Sequence, residues 1–212
     1  MTAVSEAPNL ILKVLLTCGI LAALIFALAD ILAGLLTKGY RFDSQSASEL
    51  SASGAPTRPL VIPLNLAANL LLMAFAIGVW LSAHENWAMR LMAVFIAINA
   101  LFSILGFAFF PLHPAEPANS QANRLNTISM AVSMFAFVLA IVFGAVANHN
   151  WFRTFSLGII LLYVVGTVVG LRLRGSPAQD GNTVSRVGVQ ERTMIYSWLL
   201  WLILQAIVLL RA

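Results

Sequence analysis

Six apolar runs, each about long enough to cross a bilayer, constrain this chain more than any other feature. They lie at Val14–Leu36, Leu60–Leu81, Leu91–Phe110, Leu125–Ala147, Phe155–Leu171 and Met194–Leu210. A helix needs roughly 20 mostly apolar residues to span the hydrocarbon core. The runs are rich in Leu, Ala, Ile, Val and Phe and show no strict period-2 alternation, which argues against a lipid-facing barrel and for helices. The expected fold class is all-α: a polytopic membrane helical bundle of six transmembrane helices, with residues 1–212 as a single membrane-embedded domain. Of the 212 residues only 9% are charged, against roughly 25% in a soluble domain. That excludes an ordinary cytosolic enzyme, a disordered chain and a small secreted scaffold. The net charge of +4 is scattered through the loops, without the basic stripe that nucleic-acid binding requires. Cys18 is the sole cysteine, so no intrachain disulfide can form. The expected setting is the cell membrane, as a multi-pass protein.

The first run is longer than the roughly 7–15 residues of a signal-peptide core, so it reads as a retained helix. Six spans place both ends on one face, side A, with short connections at Ser82–Trp87 and Asn148–Phe152. Side B carries the long connections: Thr37–Pro59, Pro111–Arg124 and Arg172–Arg192. Basic residues near helix ends set orientation. Side A has Lys13, Arg90, Arg153 and Arg211; side B has Lys38, Arg41, Arg58, Arg124, Arg172, Arg174, Arg186 and Arg192. The count favours side B in the cytoplasm, but it is level once Arg41, Arg58, Arg124 and Arg192 are set aside as builders of a site. Trp80, Trp87 and Trp151 fall at side-A helix ends, where an interfacial aromatic belt is expected. Gly166 and Gly170 have the spacing that lets membrane helices approach closely, read here as packing within the chain.

Chemistry is expected on side B. Asp30 lies in the first run about two turns before its side-B end, a costly depth for a carboxylate, so it should face protein or a polar cavity. Arg41, Arg58, Arg124 and Arg192 are its plausible partners. Two readings stand: an ion-pair network tying loops to helices, or a polar cavity open to side B. The stretch from Tyr40 to Pro56 concentrates hydroxyls with Arg41, Asp43, Ser48 and Glu49, and Ser48-Glu49-Leu50 looks like a short ordered turn. A nucleophilic serine would need a base, and His113 is the histidine on that side. His113 and Glu116 are three apart, but Pro111 and Pro114 deny them a regular helix, and His84 and His149 lie across the bilayer. No metal site and no cofactor is therefore expected. At the start of the last helix, Glu191 precedes Arg192, which shares a face with Tyr196. A guanidinium there suits phosphate or carboxylate, or it snorkels to anchor the helix.

Tyr40 through Asp43, Ser48-Glu49-Leu50 with Gly54-Ala55-Pro56, Gly106 with Phe109-Phe110-Pro111, and Gln190-Glu191-Arg192 before Trp198 together resemble a known group. It is the family catalogued as domain of unknown function 998, six-helix membrane proteins of bacteria and archaea. The resemblance covers nearly the whole chain and implies a six-helix fold with no assigned activity. In that pattern an acidic residue follows the Phe-Pro pair and a histidine opens the fourth helix. Here His113 and Asn126 stand in those neighbourhoods, which counts against an enzymatic reading.

The function expected from these residues is binding, at a polar Arg- and carboxylate-rich pocket on side B, of an anionic lipid headgroup or a membrane partner. Arg58, Arg124 and Arg192 should then approach Asp43, Glu49 or Glu191. The alternative is a membrane-embedded lipid hydrolase or transferase using Asp43, Glu49 or Glu191 as acid or base. A small proton-coupled transporter working through Asp30 is disfavoured by the short chain and the lack of an inverted repeat. Membrane lipids are the expected partners, with a membrane protein or a second copy of the chain also open.

Overall fold

A computed structural model describes residues 3–117, 119–148, 151–175 and 187–211. The expectations placed on His149 and Arg186 lie outside these residues, as do those resting on the surroundings of Gly170, Arg172 and Arg174. The described chain forms six long helices: α1 (Ala3–Leu36), α2 (Arg58–Ser82), α3 (Trp87–Ile104), α4 (Gln121–Ala147), α5 (Trp151–Gly175) and α6 (Val187–Arg211). All six are long and apolar enough to cross a membrane.

Local chemistry sets their ends. Asn86 caps α3, its side-chain oxygen accepting from the Ala88 and Met89 amides, and Ser120 caps α4 through the Asn123 amide. Pro59 sits in the first turn of α2, where its missing N–H has no helical partner to lose. Hydropathy alone starts the last helix at Met194, yet α6 begins at Val187. The polar Gln190-Glu191-Arg192 stretch is helical because its side chains find partners inside the protein. α3 ends in a π-helical turn, Leu105–Phe109.

Helices adjacent in sequence pack side by side, and α6 returns to α1 to close the bundle. Phe75, Met92, Ile96, Ile141, Phe152, Trp201 and Leu202 fill the interior, with Ala22, Ala23, Ala93, Ala100, Ala140 and Ala206 between them. Small residues matter here because lipid tails are as apolar as a protein core, so membrane helices gain from close approach and interhelical hydrogen bonds. A Cβ on Gly78 would lie 3.2 Å from the backbone of Leu15 and Leu16. Gly166 packs within the chain, against Met194, and its carbonyl accepts from the Gln190 side chain. Asn99 and Ser133 join α3 to α4 through reciprocal hydrogen bonds, and the Trp201 indole donates to Ser156 across α5 and α6. Outward-facing Leu24, Leu28, Phe135, Leu161 and Val164 are exposed, as a lipid-facing surface requires.

Alternation of helix direction places Ser53 and Glu85, both exposed, at opposite ends of the bundle. With buried Cys18 replaced, Ser53→Cys and Glu85→Cys should react with an impermeant maleimide from opposite sides of sealed vesicles. Labelling from the same side would break the six-span topology.

Candidate functional site

The α1–α2 connection is an ordered loop seated on the bundle. Gly39 turns the chain with a positive φ of +78°, a conformation that suits glycine. Downstream, the expected turn around Ser48-Glu49-Leu50 is a short 3-10 helix, Ala47–Ser51. Ser46 and Glu49 close it as a capping box, with the Glu49 carboxylate also accepting from Gln45 at 3.1 Å. Between these features the chain slides into the crevice where α1 meets α6. Two glycines make room: a Cβ on Gly34 would run into the Phe42 ring, and one on Gly188 into the Phe42 and Gln45 carbonyl oxygens. Irregular backbone this close to a bilayer is tolerated only when protein satisfies its polar groups.

Arg192 does much of that. A guanidinium has five N–H donors, and each has a partner. Nε and one Nη2 hydrogen reach the two Asp30 oxygens, both at 3.1 Å. Nη1 donates to the Phe42 and Gln45 carbonyls, both at 2.9 Å. The remaining Nη2 hydrogen goes to the Tyr40 hydroxyl at 2.6 Å, which itself donates to the Ser46 carbonyl at 2.8 Å. The Tyr40 and Phe42 rings lie against the guanidinium at 5.4 and 4.8 Å. On the other side Tyr196 donates to Asp30 at 2.8 Å. Arg192 is only 7% and Asp30 only 6% exposed, so this is a buried, saturated ion pair. Glu191 holds the same loop, accepting from the Ser46 hydroxyl and from the Ala47 amide. Val189 adds a backbone bond to the Asp43 carbonyl at 3.1 Å. Outside the spans, burial pushes the Tyr40 hydroxyl above its usual range, against the opposing pull of Arg192.

The other residues expected to meet here are dispersed. Arg41 pairs with Asp43 at 3.1 Å on the surface, and Arg41, followed by Ser44, holds the Asp43 carboxyl below the usual carboxylate range. Arg58 donates to the Ser51 carbonyl, and Arg124 is exposed and forms no ion pair among the described residues. Neither reaches Asp43, Glu49 or Glu191, and Arg192 pairs with Asp30 instead of those three. The reason is geometric: Arg58 has a carbonyl acceptor nearby, while Arg124 stays in solvent. Ser48 contacts Ser46 rather than a histidine. His113 places Nδ1 2.9 Å from the Pro111 carbonyl, and its backbone is bracketed by Asn123, which accepts from the His113 amide and donates to its carbonyl. No group of three metal-ligating residues occurs among the described residues.

Sequence reasoning missed Gln45 and Asn123, noted Asn126 only as a departure from the family pattern without a role, and gave Tyr40 no partner. Asn126 donates to the Gly106 and Phe110 carbonyls and so spans the π-helical turn. The signal available was an amide side chain near the start of an apolar helix, where a buried backbone irregularity needs a donor.

Beside the saturated pair lies a shallow open groove of about 390 Å³, lined by Phe42, Asp43, Val189, Arg192, Thr193 and Tyr196. Thr193 and Val189 are exposed, so the groove opens to the outside of the bundle.

Six membrane-type helices and a loop stapled between the first and the last define a multi-pass membrane protein with an ordered cap on one face. The chain belongs to the family described as protein of unknown function (DUF998), whose model matches residues 20–208. No curated protein and no solved structure matches the chain.

Proposed function

We propose that the protein is a membrane-embedded binding protein that holds the polar end of a lipid-like amphiphile in the groove between the α1–α2 loop and α6. The observation that carries this reading is the groove itself. Polar groups of Asp43 and Thr193 stand beside the Phe42 ring and Val189, and α6 continues into the bilayer, so head and chain would each meet matching surface. Binding is favoured over catalysis because the carboxylates are engaged. Asp30, Glu49 and Glu191 each accept from internal donors, and among the described residues none of the three pairs with a second carboxylate or a histidine.

A phospholipid carrying a diazirine near its head should crosslink to the peptide containing Val189 and Thr193. Thr193→Trp, which fills the groove from an exposed position, should remove most of that crosslink without lowering the melting temperature. Equal labelling of all six helices, or labelling unchanged by Thr193→Trp, would leave the groove without an occupant.

A further inference from the structure

The groove has a donor and acceptor inventory that names its ligand more narrowly. Every side-chain donor that lines it is turned away. All five N–H groups of Arg192 are engaged by Asp30, Tyr40, Phe42 and Gln45. The Thr193 hydroxyl donates to the Val189 carbonyl at 2.8 Å, and the Tyr196 hydroxyl donates to Asp30. What the lining side chains leave for a ligand is acceptors: the Thr193 oxygen and above all the Asp43 carboxylate, whose side chain is 49% exposed. Asp43 accepts from Arg41 and from Ser44, one bond to each oxygen, and a carboxylate has lone pairs for about four. Both charges of the lining are paired at 3.1 Å, but the Arg192–Asp30 pair is buried whereas Asp43 keeps half of its side chain exposed beside Arg41, so the charged group of the lining that a ligand can reach is an anion.

From this we infer that the groove binds a primary ammonium head, with its N–H groups on Asp43 and Thr193, and that the occupant is a phospholipid of the ethanolamine type. The inference rests on the binding reading above and sharpens it. It reverses the sign of the ligand expected from the four arginines, because the guanidinium at the groove is already satisfied. Arg41 is not part of the lining, and its side chain is 62% exposed. Among the described residues its side chain donates only to Asp43, which leaves N–H groups for the phosphate of the same head, so the Arg41–Asp43 pair complements a zwitterion rather than a bare anion or a bare amine.

The test is lipid retention by the full chain, purified from nanodiscs holding equal parts of ethanolamine, choline and glycerol phospholipids with identical acyl chains, and read by native mass spectrometry. Ethanolamine lipid should be enriched about tenfold or more over the other two, the size of one charge-assisted hydrogen bond. Asp43→Asn should bring the enrichment near unity, Asp43→Glu should keep most of it, and both should melt like the parent because the site is at the surface. Choline lipid retained as well as ethanolamine would overturn the N–H donor assignment, since choline carries the charge without the donors. Glycerol lipid preferred, or enrichment untouched by Asp43→Asn, would overturn the ammonium. In those cases loss of all retention in Thr193→Trp would still uphold the groove as a lipid site, whereas retention unaffected by Thr193→Trp would sink both. Binding of free 2-aminoethyl phosphate as tight as that of the lipid would overturn the lipid as occupant.

Discussion

Arg192→Met should be among the most damaging single substitutions in this protein. It leaves the Asp30 carboxylate buried with only Tyr196 as a donor, takes from the Phe42 carbonyl its guanidinium donor, and leaves the Gln45 carbonyl only the longer bond from the Tyr40 hydroxyl at 3.2 Å. Breaking a buried pair by removing one partner costs roughly 3–5 kcal/mol, because the surviving charge stays uncompensated. Asp30→Leu should cost a similar amount, since it strands the guanidinium. The double variant should be markedly less than additive, because the second substitution removes the charge that the first one stranded. Arg192→Lys should not rescue, as an ammonium offers three donors where five acceptors are arranged around a planar fork. Unfolding in mixed detergent measures these differences, and limited proteolysis between residues 37 and 57 should show the loop released in either single variant. Strict additivity, or single variants as stable as the parent, would mean that the pair holds nothing in place.

Gly188→Ala should be the second large effect, although it adds one methyl group. The new Cβ would sit 2.5 Å from the Gln45 carbonyl oxygen and closer still to that of Phe42. Those atoms are backbone, so no rotamer change relieves the clash. Either the loop lifts off α6 or the helix shifts outward, and in both cases the bonds from Arg192 to the same two carbonyls are strained. Overpacking a tight site typically costs about 1–3 kcal/mol, and here the lost hydrogen bonds add to it. Gly158→Ala is the control, because a Cβ there meets nothing within 4 Å. A melting temperature that falls for Gly188→Ala and holds for Gly158→Ala is the expected pattern. Equal behaviour of the two would show that the loop does not rest on α6.

The architecture was largely legible because bilayer thickness imposes a length and a composition on every span. Asp30 was legible for a related reason: a lone carboxylate inside an apolar run has to turn toward protein. Its partner was less so. Four arginines stood near side-B boundaries, and only Arg192 reaches Asp30, 162 positions away, through the approach of the first helix to the last. The rotation and closeness of two helices depend on glycines such as Gly34 and Gly188, whose meaning emerges only when the opposing surface is known. The acceptors that surround Arg192 are mostly backbone carbonyls, which carry no sequence signature at all. That is why a cluster of guanidiniums reads as a site for an anion, when the one guanidinium at the groove faces inward with every donor occupied.

The closing contact between α1 and α6 also has a bearing on how the protein is made. Ribosomal synthesis delivers α1 first and α6 last, so Asp30 enters the membrane long before Arg192 exists. α1 is the most apolar of the six spans, which lets it insert in spite of its carboxylate. Until α6 arrives that carboxylate lacks the Arg192 and Tyr196 donors, and the loop that follows it can pack through Leu50 on α1 and α2 but not on α6. A chain that stops before residue 192 would keep a carboxylate inside its most apolar span without the guanidinium that compensates it, so completion of the final helix is what makes the first one fully compatible with its surroundings.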